Sequence, residues 1–129
     1  MTSLERGADV DKAPLLLVVD DEVDITDTYA IFFELHGFEV MTANDAVQAL
    51  AMVSQRVPDL IISDCMMPYM DGVEFSARVK ANPATRTTPI ILMSGAPELH
   101  DLERRCYDVF LRKPVLFERL LLEMRRLLG

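Results

Sequence analysis

Short apolar runs alternate with segments of helical period over most of the chain. Residues 15–19 (Leu-Leu-Leu-Val-Val) are continuously apolar and end at Asp20, the length of a buried strand. Ile25, Tyr29, Phe32 and Leu35 then recur at spacings of four, three and three, which predicts a helix with these residues as its apolar stripe and Gly37 as its stop. Residues 38–43 read as a second strand. Asn44 reads as the cap of a helix whose inner face carries Ala46, Ala49, Leu50 and Val53, and Pro58 ends it. Residues 60–63 (Leu-Ile-Ile-Ser) are a third strand, ending at Asp64. A loop at 66–71 and a helix at 72–81 with Val73, Ala77 and Val79 follow. Pro89 opens a fourth strand at 90–93, closed by Ser94 and Gly95. A short polar helix is expected between Pro97 and Cys106, a fifth strand at 109–112, and a last helix at 114–128.

Five strands alternating with five helices predict an α/β domain. The first, third and fourth strands are apolar on both sides, as parallel strands covered by helices on both faces are. Right-handed crossovers make such a sheet doubly wound. Ligands of these sheets bind outside the carboxyl ends of the strands, where the strand order switches. The residues at that edge are Asp20 and Asp21 after the first strand, Asp64 after the third, Ser94 after the fourth and Lys113 after the fifth.

The 129 residues are enough for one domain with its own core, placed at 14–129 behind a polar tail at 1–13. Acidic residues outnumber basic ones by 21 to 13, a net charge of −8. That field repels phosphate backbones, so direct nucleic-acid binding is not expected. No apolar run has the ~18 residues of a membrane span, and residues 1–13 lack the apolar core of a secretory signal, which points to the cytoplasm. Cys65 and Cys106 have neither zinc nor redox spacing and read as reduced thiols. His36 and His100 are isolated; His36, before Gly37, can meet free carbonyls at a helix end.

Three carboxylates at one edge repel one another unless a cation joins them. Magnesium takes a few carboxylates plus waters and phosphate oxygens, and Asp20, Asp21 and Asp64 can supply the carboxylates. Lys113 adds a charge able to reach a carboxylate or a phosphoryl oxygen, and Ser94 a hydroxyl able to donate to one. Asp64 ends the central strand and is the natural nucleophile; attack on phosphorus would make it an aspartyl phosphate.

The segments Leu17-Val-Val-Asp-Asp-Glu22, Asp59-Leu-Ile-Ile-Ser-Asp-Cys-Met-Met-Pro-Tyr-Met-Asp-Gly72, Pro89-Ile-Ile-Leu-Met-Ser-Gly95 and Phe110-Leu-Arg-Lys-Pro114 resemble the response-regulator receiver domains of two-component signalling. The resemblance spans residues 14–129. It implies a flavodoxin-like, five-stranded parallel sheet of order 2-1-3-4-5 with five helices, and a signalling module rather than an enzyme, its only chemistry being magnesium-dependent self-phosphotransfer and autodephosphorylation. Asp64 would accept the phosphoryl group from a phosphohistidine of a sensor histidine kinase or phosphotransfer protein. Mg2+ would be held by Asp21, Asp64 and the backbone carbonyl of Met66, with Asp20 acting directly or through water. Lys113 would pair with Asp64 and then with the phosphoryl oxygens, Ser94 would move toward them, and Phe110 would be the aromatic switch residue that turns inward with it. Lys113-Pro114 resembles the family's cis peptide.

The interval from Ser94 to Lys113 is a few residues shorter than usual in the family, so the fourth helix should be short, and Cys106-Tyr107 stands where Gly-Ala is frequent. Met66 and Ala96 stand at two positions that flank the phosphoryl group in the family, and neither can hydrogen-bond an attacking water. A haloacid-dehalogenase-type phosphatase would need a second acid two residues after Asp64, where Met66 stands. A flavin-binding flavodoxin would need a phosphate-cradling loop where Asp20, Asp21 and Glu22 stand. The alternative that remains is a pseudo-receiver, an interaction module that is never phosphorylated. The last helix runs to Gly129, so no output domain is expected, and the chain reads as a stand-alone or excised receiver. On that helix Leu116, Leu120, Met124 and Leu127 should pack on the sheet. Phe117 and Leu121 should be partly exposed, with Leu128 on the same stripe, and form a homodimer or target surface with the fourth helix and fifth strand.

Overall fold

Runs of leucine, isoleucine and valine become central strands where helices cover both of their sides. In the computed structural model, which describes residues 12–97 and 106–129, every residue of β1 (Leu15–Val19), β3 (Leu60–Asp64) and β4 (Ile90–Ser94) is buried. The more exposed β2 (Glu39–Ala43) and β5 (Val109–Arg112) form the two edges. All pairings are parallel, in the order β2-β1-β3-β4-β5. The fold is the expected flavodoxin-like α/β sheet. Four helices, α1 (Val23–Leu35), α2 (Ala46–Gln55), α3 (Gly72–Ala81) and α4 (Phe117–Leu128), are present among the described residues. The short helix expected between Pro97 and Cys106 and most of the 1–13 tail lie outside them.

The two-residue period of the strands divides the core. Leu17, Val19, Ile61, Ile90 and Leu92 meet Ala46, Ala49 and Val53 of α2 and Phe75 and Val79 of α3. Leu16, Val18, Leu60, Ile62, Ile91 and Met93 meet Phe33 of α1 and Leu120, Leu121 and Met124 of α4. Each large side chain buried this way contributes roughly 1.5–3 kcal/mol.

Several helix details correct the sequence reading. On α1 the buried positions are Thr26 and Phe33, while Phe32 and Leu35 are exposed. Two adjacent phenylalanines fit either phase of the helix. The sheet takes Phe33, which stacks on Tyr29 at 5.6 Å and meets Phe117 at 5.2 Å. Gly37 ends α1 as expected, at φ +92, with the Phe38 N–H donating to the Phe33 carbonyl. His36 Nδ1 donates to the Phe32 carbonyl at 2.8 Å. The cap of α2 is Asp45, whose carboxylate accepts the Gln48 N–H at 2.7 Å, and not Asn44. On α3 the deepest side chains are Phe75, Ser76 and Val79 rather than Val73 and Ala77.

The last helix begins at Phe117, three residues later than its pattern suggested. Leu116 holds the N-cap with extended backbone, falls outside the helical phase, and is 73 % exposed instead of packing on the sheet. Leu121 is only 8 % exposed. It joins Leu120 and Met124 in a face wide enough to cover the sheet and α1, so the argument from an exposed Leu121 to a homodimer surface fails. Phe117 keeps partial exposure, but its ring packs on Phe32 at 5.0 Å and His36 at 5.1 Å.

Candidate functional site

The ladder runs one residue beyond several strands, and this brings the predicted residues level. The Asp20 N–H donates to the Ala43 carbonyl, the Cys65 N–H to Met93 and the Lys113 N–H to Ser94. Asp20, Asp64, Ser94 and Lys113 therefore reach the same carboxyl edge of the sheet. Lys113 is joined to Pro114 by a cis peptide bond, matching the resemblance. Its Nζ lies 3.2 Å from Asp64 Oδ1 and 3.8 Å from Asp20 Oδ2. Asp20, Asp21 and Asp64 each offer a carboxylate oxygen, and these oxygens lie within 4.8 Å of one another. Asp20 and Asp64 are buried, whereas Asp21 is exposed at the mouth. Met66, two residues beyond Asp64, turns its side chain to solvent.

Asp20 Oδ1 accepts the Glu22 N–H at 3.0 Å, but its buried Oδ2 accepts no hydrogen bond. Burial pushes the Asp20 carboxyl above the usual carboxylate range; the Glu22 N–H and Lys113 oppose this, and the charges of Asp64 and Asp21 add to it. Burial works to lower the Lys113 ammonium, but the charge and hydrogen bond of Asp64 and the charge of Asp20 outweigh it and raise it. Lysine thus offsets only part of the carboxylate charge. Close oxygens, one of them buried and without a hydrogen bond, form a donor set that fits a hard divalent cation of the magnesium class.

An acid whose folded pKa is raised stabilises the fold below its unfolded pKa and loses that contribution as pH rises through the folded value. Asp20→Asn should therefore be more stable than wild type at neutral pH in EDTA, by roughly 1–2 kcal/mol. The gain should shrink as pH falls toward the ordinary carboxylate range. Thermal denaturation across pH checks this, and a variant less stable than wild type at pH 7 would contradict it.

Ser94 is buried, and its Oγ accepts the Ala96 N–H at 3.1 Å. Phe110 is half-buried and packs on the α2–α3 side of the core, its ring 6.0 Å from that of buried Tyr107. An apolar hollow lined by Ile25, Tyr29, Lys113, Pro114 and Val115 opens beside the lysine.

Two supporting roles escaped the sequence reading. Asn44 Nδ2 donates to the Asp20 carbonyl at 3.1 Å and to Thr26 Oγ1 at 3.4 Å, so the β2–α2 turn holds the backbone of Asp20. A polar residue just past β2 is the signal, and reading it as a helix cap hides this role. Gly72 packs where a Cβ would lie 2.9 Å from both the Asp64 carbonyl oxygen and the Cys65 Cα, while its N–H donates to the Cys65 carbonyl at 2.7 Å. Asp71 before it caps α3, its carboxylate accepting the Glu74 N–H at 2.9 Å, and the close approach at Gly72 is tertiary.

Residues 16–125 match the response regulator receiver domain family, and the chain belongs to it. Protein PilG of Pseudomonas aeruginosa is 35 % identical over 109 residues, covering 82 % of this chain and 81 % of that one. The DNA-binding dual master transcriptional regulator RpaA of Synechocystis is 30 % identical over 89 % of this chain, which spans only 49 % of RpaA. The chemotaxis response regulator CheY4 of Vibrio cholerae superposes with a TM-score of 0.82 at 30 % identity, covering 90 % of this chain and 99 % of that one. The receiver domain of a Syntrophus aciditrophicus histidine kinase gives 0.82 at 32 %, covering 90 % of each. Receivers are signalling modules of two-component systems, work with histidine kinases or phosphotransfer proteins, and generally bind Mg2+ at an acidic pocket. Among the described residues no helix is long and apolar enough to cross a membrane.

Proposed function

We propose that residues 14–129 are a phosphoacceptor module in which Asp64 takes a phosphoryl group from a phosphohistidine. The observation that carries this reading is the 3.2 Å contact of Lys113 Nζ with Asp64 Oδ1 inside a cluster of three carboxylates. An Asp64 oxygen attacks phosphorus as the phosphorus–nitrogen bond breaks. The electron pair leaves with the imidazole, and an acyl phosphate remains. Asp20, Asp21, Asp64 and the Met66 carbonyl would hold Mg2+, whose chemistry is to neutralise charge on the phosphoryl oxygens. Lys113 exchanges its contact with Asp64 for one with a phosphoryl oxygen. The hollow beside Lys113 leaves room for the donor's side chain.

Acetyl phosphate with Mg2+ should add one phosphoryl mass to the intact protein, labile to hydroxylamine and absent in EDTA. A protein that gains no phosphate under these conditions would refute the reading. The module then switches: Ser94 Oγ moves toward the phosphoryl group and the Phe110 ring turns inward, changing the face that β5 shares with α4. Structures with and without beryllofluoride should differ in the Phe110 rotamer and the Ser94 position. Identical positions in both would disprove the coupling.

A further inference from the structure

Tyr69 occupies a position whose backbone suits glycine. Its φ is +71, and it is the one non-glycine residue with positive φ among the described residues. The Met70 N–H donates to the Pro68 carbonyl at 2.8 Å, closing a three-residue γ-turn around it. The neighbours explain the turn. Met70 is buried in the core, and the Gly72 N–H is bound to the Cys65 carbonyl, so the loop must reverse sharply between Pro68 and Met70.

Nothing in that account requires a phenol. Tyr69 is 86 % exposed, and among the described residues its side chain makes no hydrogen bond or ring contact. Met66, in the same loop, is 65 % exposed. Two large side chains thus stand outward on a loop whose ends meet at Cys65 and Gly72, next to Asp64. Local backbone strain kept for an exposed side chain points to something outside the chain.

We propose that Tyr69, with Met66, is a contact surface for the protein that delivers the phosphoryl group, seating a cationic side chain of that partner over the Tyr69 ring. The inference rests on Asp64 being the phosphoacceptor. Asp64 is buried at the edge of the sheet, so a histidine attached to a protein reaches it only if that protein covers the rim. Exposed Asp21, Glu22, Asp24 and Asp71 line the same edge of a chain of net charge −8. Such a rim attracts a basic surface and repels a second copy of itself. A tyrosine face among carboxylates suits arginine or lysine.

The test uses the intact chain and two kinds of donor. Each histidine kinase and phosphotransfer domain of the source genome, charged with radiolabelled phosphate, is offered in turn, and acetyl phosphate is the small donor. With the protein donor that charges wild type fastest, Tyr69→Gly should slow transfer about tenfold while Tyr69→Phe keeps the wild-type rate. With acetyl phosphate all three should agree within about twofold. The melting temperature of Tyr69→Gly should not fall, because glycine accepts the turn. Equal transfer to wild type and Tyr69→Gly overturns the proposal, as does equal slowing with acetyl phosphate. A wild type charged by acetyl phosphate but by no histidine donor also overturns it. A wild type that acetyl phosphate does not charge instead removes the phosphoacceptor reading.

Discussion

Asp64→Asn should take no phosphoryl group from acetyl phosphate, a loss of at least a thousandfold, equal to about 4 kcal/mol of barrier. The amide keeps the shape of the side chain but lacks the anionic oxygen that attacks phosphorus. It also loses the ion pair with Lys113 at 3.2 Å. The fold should hardly notice. Lys113 is partly exposed, so that pair contributes little, and its loss is offset by one fewer carboxylate beside Asp20 and Asp21. Stability should change by less than about 1 kcal/mol. Intact mass and thermal denaturation on the same samples separate the two effects. A hydroxylamine-labile phosphate still present in Asp64→Asn would move the acceptor elsewhere.

Gly72→Ala should do the reverse, damaging the fold and the site together. The added Cβ would lie 2.9 Å from the Asp64 carbonyl oxygen, 2.9 Å from the Cys65 Cα and 3.0 Å from a Leu92 methyl. Two of these three are backbone atoms of the strand end that carries the acceptor. They can yield only by shifting β3 against β4 or by pushing α3 away, which should cost about 3 kcal/mol. Asp64 would move with its backbone, so magnesium affinity should fall as well. Gly95→Ala is the control, because a Cβ there meets nothing within 4 Å, and it should be nearly neutral. Equal stability of the two variants would show that the close approach at Gly72 is relieved without cost.

The strands and the site edge were legible because they depend on short-range signals. A run of five apolar residues ending in aspartate reads the same in any frame, and Asp20, Asp64, Ser94 and Lys113 are placed by strand ends alone. Helix phase was less legible. Phe32 and Phe33 offer α1 two stripes, and only the position of Phe117 and the sheet selects Phe33. Leu116 to Leu121 offered a stripe that started too early, because nothing local shows that Leu116 still has extended backbone. The supporting shell was hardest to read: Asn44 reaches Asp20 across 24 positions, and Gly72 touches Asp64 and Leu92 only once the sheet exists.

Asp64 and Cys65 are adjacent, yet they meet different surroundings. Cys65 is buried in the core cluster with Ile61 and Phe75, on the side covered by α2 and α3. Burial, and then the charges of Asp71 and Asp64, push its thiol up, so at neutral pH it is not a thiolate. An acyl phosphate on Asp64 would be a mixed anhydride, and a sulfur nucleophile one residue away would turn it into a thioester and release the phosphate as waste. The alternation of the strand, which sends successive side chains to opposite faces, would keep that side reaction from the signal. Chemical insulation of an acyl group on Asp64 would thus be a consequence of β geometry.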